Sequence, residues 1–245
     1  MAEPNRPHTT VILAMSADGK IADVTRSPAR FSSLTDKAHL EQQIAASDAV
    51  LFGAGTLCAY GTTLRVSDPQ LLQQRTQSSL PPQPVQIVVS LQANIEPQLR
   101  FFRQPVPRWL LTTSVGAKHW EGRPEFEKII VCEVQESGDK RELGENSPLA
   151  TSIDWKAAMD RLASLGVGRL AVLGGGQLVA SLVASDLIDE FWLTVCPLIL
   201  GGATAPTPVE GTGFCAELAL RLELLSVQVK EQEVFLHYRL QRPKD

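Results

Sequence analysis

Short, uninterrupted apolar runs, several followed by a segment of helical periodicity, constrain this chain more than any other feature. TTVILAMS (Thr9 to Ser16) is β-branched and apolar, ends at a turn on Asp18-Gly19, and reads as a buried strand. The next segment places Ser33 three residues before Asp36, as in a capping box, and sets Leu40 and Ile44 on one helical face. It then becomes a second buried strand, Ala49 to Phe52. Val85 to Ser90, Arg108 to Ser114 and Lys128 to Val134 read as three more strands, joined by connections that carry Pro81, Pro82, Pro84, Pro105 and Pro107.

The charged stretch from Gln135 to Ser152 reads as an exposed connection inside one domain. After it, Thr151 stands three residues before Asp154, and Trp155, Ala158, Met159, Leu162 and Leu165 recur at helical spacing until Gly166. RLAVLGGG, QLVASLVASD and EFWLTVCPLIL then predict strand, helix, strand. The tail runs LALRLELLSVQV and EVFLHYRLQ alternate polar with apolar residues, as an antiparallel pair does. The expected architecture is α/β: a mixed, mostly parallel sheet flanked by helices, closed by a C-terminal antiparallel strand pair, in a single domain over residues 1–245.

Several function classes find no support. Lys and Arg total 23 against 27 Asp and Glu, a formal charge of -4, which supplies no global field for a nucleic acid. The cysteines Cys58, Cys132, Cys196 and Cys215 form no C-x-x-C, and the four histidines form no H-E-x-x-H, so no metal site is expected. His39 and His237 read as partly exposed structural histidines. Neither a G-x-S-x-G elbow nor a deaminase-type H-x-E with P-C-x-x-C is present. The opening MAEPNRPHTT lacks the apolar core of a signal peptide, and no apolar run is long enough to span a bilayer. A cytoplasmic protein with no membrane partner is expected.

Ligands of α/β sheets gather at loops beyond the strand ends, which draws attention to ADGK, GAGT and GGGQ. Gly174, Gly175 and Gly176 offer backbone without Cβ atoms at a helix start, where orphan N–H groups favour an anion. A tight strand-to-helix turn accounts for them equally well. The run fits neither G-x-G-x-x-G nor a P-loop. Gly53, Gly55 and Thr56 in the second loop read as part of a dinucleotide site, or as close backbone packing with Thr56 as a helix cap.

Taken in order, AMSADGKIAD, SDAVLFGAGTL and LGGGQLVASLVASDLIDEFWLTVCPLILGG resemble the reductase domain of bacterial riboflavin biosynthesis, from about Thr9 to about Leu240. That resemblance implies a dihydrofolate-reductase-like fold and NADPH-dependent reduction of 5-amino-6-(5-phosphoribosylamino)uracil. It places Gly174, Gly175, Gly176, Gln177 and Leu178 along the NADPH pyrophosphate, Gly55 and Thr56 beside the same cofactor, and Ser90 and Thr113 at its adenosine end. Lys20 would reach substrate, and Ser32 or Ser33, after the aromatic Phe31, would line its site. A homodimer is implied as well.

Two departures bear on substrate choice. The loop that in the family continues to an acidic or amide segment reads CAYGTTLRV here (Cys58 to Val66), and Leu173 replaces the family's Glu before the glycine turn. Tyr60 or Arg65 could supply the missing polar contacts. The loss of paired polar groups argues for a changed substrate rather than a lost cofactor. The rival readings are a reductase of another pterin-like or pyrimidine-like small molecule, and an NADPH-binding protein without turnover. No catalytic acid is assigned; Asp18 reads as shaping its turn.

Overall fold

The computed structural model describes residues 6–28, 31–134 and 152–242. In chain order the elements are β1 (His8–Ser16), α1 (Leu34–Ala45), β2 (Ala49–Gly53), α2 (Ala54–Tyr60), α3 (Pro69–Gln77), β3 (Val85–Val89), β4 (Arg108–Thr112), α4 (Ser114–Lys118), β5 (Lys128–Val131), α5 (Trp155–Ser164), β6 (Arg169–Val172), α6 (Gly176–Ala184), β7 (Glu190–Cys196), β8 (Arg221–Lys230) and β9 (Glu233–Gln241). All nine strands join one sheet in the order β5-β4-β3-β2-β6-β1-β7-β9-β8. Pairing is parallel from β5 through β7 and antiparallel for β7 with β9 and β8 with β9, as expected from the sequence.

The continuous apolar strands are explained by burial on both faces, since successive side chains point to opposite sides. Leu51 packs on one face with Met159, Leu162 and Val179 from α5 and α6. Its neighbours Val50 and Phe52 pack on the other with Ile44 of α1, Phe101 and Trp120. Each such side chain contributes roughly 1.5–3 kcal/mol on burial.

Local chemistry sets where elements start and stop. The Ser33 hydroxyl caps α1, accepting from the Thr35 and Asp36 N–H groups at 3.1 Å each. The reciprocal arm of the box comes from Glu233 on β9, which accepts from the Ser33 N–H at 2.9 Å, while the Asp36 side chain turns to Thr194 and Ser32. Asp154, rather than Thr151, caps α5, accepting from Ala157 N–H at 2.9 Å; Thr151 and nearly all of the expected charged connection lie outside the described residues. β4 stops two residues early because Thr113 caps α4, and β7 stops at Cys196, ahead of Pro197, which has no N–H for a ladder. Sequence reading passed over α3, although Asp68 followed by Pro69 is a strong start signal, and Asp68 accepts from Gln70 and Leu71 N–H.

Candidate active site

Three loops meet where the parallel strands β1, β2 and β6 end. The chain leaves β2 at Gly53 and enters α2 without an intervening loop, so Gly53 is the N-cap and Gly55 and Thr56 lie in the first turn; Thr56 is not the cap. Leaving β6, it passes Gly174, whose φ of +90° lies in the region glycine favours, and enters α6 with Gly175 as N-cap and no side-chain cap bond. A Cβ on Gly175 would sit 3.6 Å from the Thr56 hydroxyl, so the two glycine loops face each other. Gly176 is packed closely: a Cβ there would come 2.7 Å from Glu210 Cγ and closer still to the Thr207 carbonyl.

These loops form one wall of a cavity of about 770 Å³. Gly55, Thr56, Gly175, Gly176, Gln177 and Leu178 line that wall, and Ser32, Ser33 and Tyr60 line the remainder, so most of the residues expected from sequence converge on one space. Others do not reach its lining. Lys20 Nζ points to the Ala205 carbonyl at 3.4 Å. Arg65 is exposed outside the cavity. Ser90 accepts from Ala93 N–H at 3.0 Å, and the Thr113 hydroxyl donates to the Leu91 carbonyl at 2.8 Å, so both stabilise turns past β3 and β4. Gly174 is outside the lining, and a Cβ there would come 3.1 Å from Leu13 Cδ2.

The altered loop contributes Thr62, Thr63 and Leu64 to the lining with Tyr60, and Leu173 adds an apolar surface. The two threonine hydroxyls are already engaged, Thr62 with Gln104 Oε1 and Thr63 with Gln86 Oε1, each at 2.7 Å. Charged residues missed by sequence reading also line the cavity: Asp36 and Lys37 of α1, and Arg26 paired with Glu210 at 3.0 Å. The acid at Asp36 had a legible signal, because it shares a helical face with the apolar Leu40.

The electrostatics separate two aspartates. Asp18 accepts from the Ser16 hydroxyl at 2.6 Å and from the Leu200 and Gly201 N–H groups, which hold its carboxyl down at about 2 and spend it on fastening the β1 turn to the loop after β7. Asp36 is only 6% exposed; burial pushes its carboxyl above the usual range, nearby Glu233 adds to this, and hydrogen bonds from Thr194 and Ser32 oppose it. His39 is buried rather than partly exposed. Its ring lies edge-on to Trp192 and Phe235 at 4.6 and 5.0 Å, and burial, with smaller contributions from Lys230 and His237, holds it at about 4. Among the described residues, no group of three or more His, Cys, Asp or Glu could hold a metal ion, and no helix is long and apolar enough to cross a membrane.

Residues 7–236 match the model of the RibD C-terminal domain. The chain belongs to that family. It is 32% identical over 209 residues to the 2,5-diamino-6-ribosylamino-4(3H)-pyrimidinone 5′-phosphate reductase of Archaeoglobus fulgidus, covering 85% of this chain and 89% of the relative. A pyrimidine reductase-like protein from Corynebacterium diphtheriae superposes with a TM-score of 0.75 at 18% identity, over 99% of this chain and 96% of that one. Dihydrofolate reductase from Enterococcus faecalis superposes at 0.51 and 11% identity over 96% and 97%, which establishes the expected fold. The chain is thus an oxidoreductase of the riboflavin-biosynthesis reductase family, on a dihydrofolate-reductase-like sheet.

Proposed function

We propose that this chain is a single-domain reductase of a 6-(ribosylamino)pyrimidine 5′-phosphate, using NADPH. The observation that carries the reading is the convergence of Gly175, Gly176, Gln177 and Leu178 with Gly55, Thr56, Ser32 and Ser33 on one cavity. The start of α6, whose N-cap Gly175 makes no side-chain cap bond, fits an anion at that point. Bound there, NADPH would supply the hydride. The protein's part is to hold and orient: α6 and α2 grip the cofactor, and the apolar Leu173, Ile12 and Phe52 keep water from the reacting face.

Arg26 and Lys37 are the cationic residues in the described lining and are assigned to the substrate phosphate; Lys20 supports the loop that carries Ile21 and Ala22 to the cavity. Leu173 and Leu64 favour a second reading with the same cofactor, in which the ring is another pyrimidine or a pterin. The test is titration of NADPH and NADH against the purified protein, then absorbance decay on adding the ribosylaminopyrimidine. Tight NADPH binding with decay supports the proposal; absence of cofactor binding overturns it.

We assign a homodimer as well. The edge strand β8 exposes Leu222, Leu224, Val227 and Val229, an apolar edge that a second copy would cover. Light scattering at working concentration would return twice the chain mass. All four cysteines are free, which suits a reducing cytosol.

A further inference from the structure

Glu233 is an acid buried where the sheet itself has no need of one. It stands at the first position of β9, paired with Lys230 where β8 turns into β9, and is only 3% exposed. Burying an acid is costly unless donors meet it. Two of its donors belong to a single distant residue. Oε1 accepts from the Ser33 N–H at 2.9 Å and Oε2 from the Ser33 hydroxyl at 2.5 Å, across 200 residues of chain, and the Cys196 thiol of β7 donates to Oε1 at 3.5 Å.

This arrangement saturates the Ser33 hydroxyl. It donates its one hydrogen to Glu233 and accepts from the Thr35 and Asp36 N–H groups at 3.1 Å each, which fills a hydroxyl's one donor and two acceptor positions. Ser33 borders the cavity, yet its hydroxyl has no position left for a substrate. Its part is to hold the start of α1, and that segment brings Ser32, Leu34, Lys37 and Leu40 to the cavity. The same strand fastens α1 a second time. Phe235, two residues along β9 and so on the same face, meets His39 edge-on at 5.0 Å, and neither ring lines the cavity. The polar fastening therefore acts on a residue of the lining, and the aromatic one acts outside it.

Resting on the reductase reading above, we propose that Glu233 is a positioning residue for the substrate, acting through Ser33. It sets where the first turn of α1 stands against the sheet, and so where Ser32 and Lys37 meet the ribosylaminopyrimidine phosphate. The chain carries a local acid at the spacing of a capping box, Asp36, so the start of α1 could be closed without β9. The remote acid adds what a local one cannot: a fixed relation between α1 and the β7–β9 part of the sheet. Displacing substrate-holding groups by about 1 Å costs up to roughly a hundredfold in rate. The cofactor residues do not depend on this fastening, because Gly55 and Thr56 belong to the start of α2, and Gly175 to Leu178 to the start of α6.

The test uses NADPH with whichever of the 2,5-diamino-6-ribosylaminopyrimidinone 5′-phosphate and the 5-amino-6-ribosylaminouracil 5′-phosphate the wild type reduces faster. Kinetics and NADPH titration are compared in the wild type, Glu233→Gln, Ser33→Ala and the double variant. Glutamine turns an N–H toward the Ser33 hydroxyl in place of an acceptor, so Glu233→Gln should lower kcat/KM by at least about tenfold while the NADPH Kd stays within about twofold. The packing of Phe235 on His39 keeps α1 on the sheet in that variant. Because Glu233 acts through Ser33, the double variant should lie within about twofold of the worse single one. A purely structural role would lower Tm and leave kcat/KM of the folded protein unchanged. That result, a loss of NADPH as large as the loss of kcat/KM, or single losses that multiply in the double variant, overturns the role of Glu233 alone. Should Glu233→Gln not fold, Ser33→Ala removes the hydroxyl that Glu233 holds, and a wild-type kcat/KM in it overturns the role. Reduction of neither substrate by the wild type overturns the reductase reading, and this inference with it.

Discussion

The backbone N–H of Gly53 donates to the carbonyl of Gly174 at 2.9 Å, tying the end of β2 to the loop after β6. One hydrogen bond thereby joins two glycine loops that are 121 residues apart in the chain, as the numbering gives (174 − 53). Glycine 175 and glycine 176 then differ in consequence. Gly175→Ala places its Cβ at ordinary contact distance from Thr56, at a φ of -77° that any residue adopts. It should fold normally but weaken NADPH by about tenfold, or about 1.4 kcal/mol, measured by titration. Gly176→Ala drives its Cβ into the Thr207 backbone and should lose about 1–3 kcal/mol of stability in denaturant melts.

His39 makes stability depend on pH. Its folded pKa of about 4 lies below the unfolded value of 6.5, so the unfolded chain binds its proton first as pH falls. The stability held above pH 6.5 is therefore lost between pH 6.5 and 4. His39→Phe keeps an aromatic ring between Trp192 and Phe235 and should show a smaller fall in Tm across that window. An equal fall in both proteins would remove His39 as its source.

Thiol reactivity should divide the cysteines in two pairs. Cys196 is buried and its thiol is pushed up to about 12, by burial first and then by Glu233 and Asp36; Cys132 is buried and raised also. Cys58 and Cys215 are exposed. Alkylation of the native protein at mildly alkaline pH should add two groups by mass spectrometry, and alkylation in denaturant four.

Core and site should separate cleanly. Leu162 is fully buried between α5 and the sheet, on the face that includes Met159 and Val179. Leu162→Ala should cost about 2–5 kcal/mol of stability. Its NADPH affinity, measured well below the new Tm, should match the wild type.

Local sequence alone determined the elements with a regular pattern. Apolar runs such as Ala49 to Phe52 specify strands buried on both faces, and the 3.6-residue recurrence of Ala158, Met159 and Leu162 specifies α5, because each pattern needs only nearest neighbours to be read. The glycine turn and the family resemblance led to most of the glycine-bearing part of the cavity lining for the same reason: backbone without Cβ atoms is visible in sequence. Only tertiary structure decided what distant residues do together. Ser33 is capped back by Glu233, 200 residues away, which releases Asp36 from the local box to face Thr194. His39 lies buried because β7 and β9 bring Trp192 and Phe235 to it. Ser90 and Thr113 stand past strand ends yet spend their hydroxyls on backbone, since a turn's orphan groups are satisfied by whatever donor or acceptor the fold brings within reach. Such partners are set by the order of strands in the sheet, and no local pattern records that order.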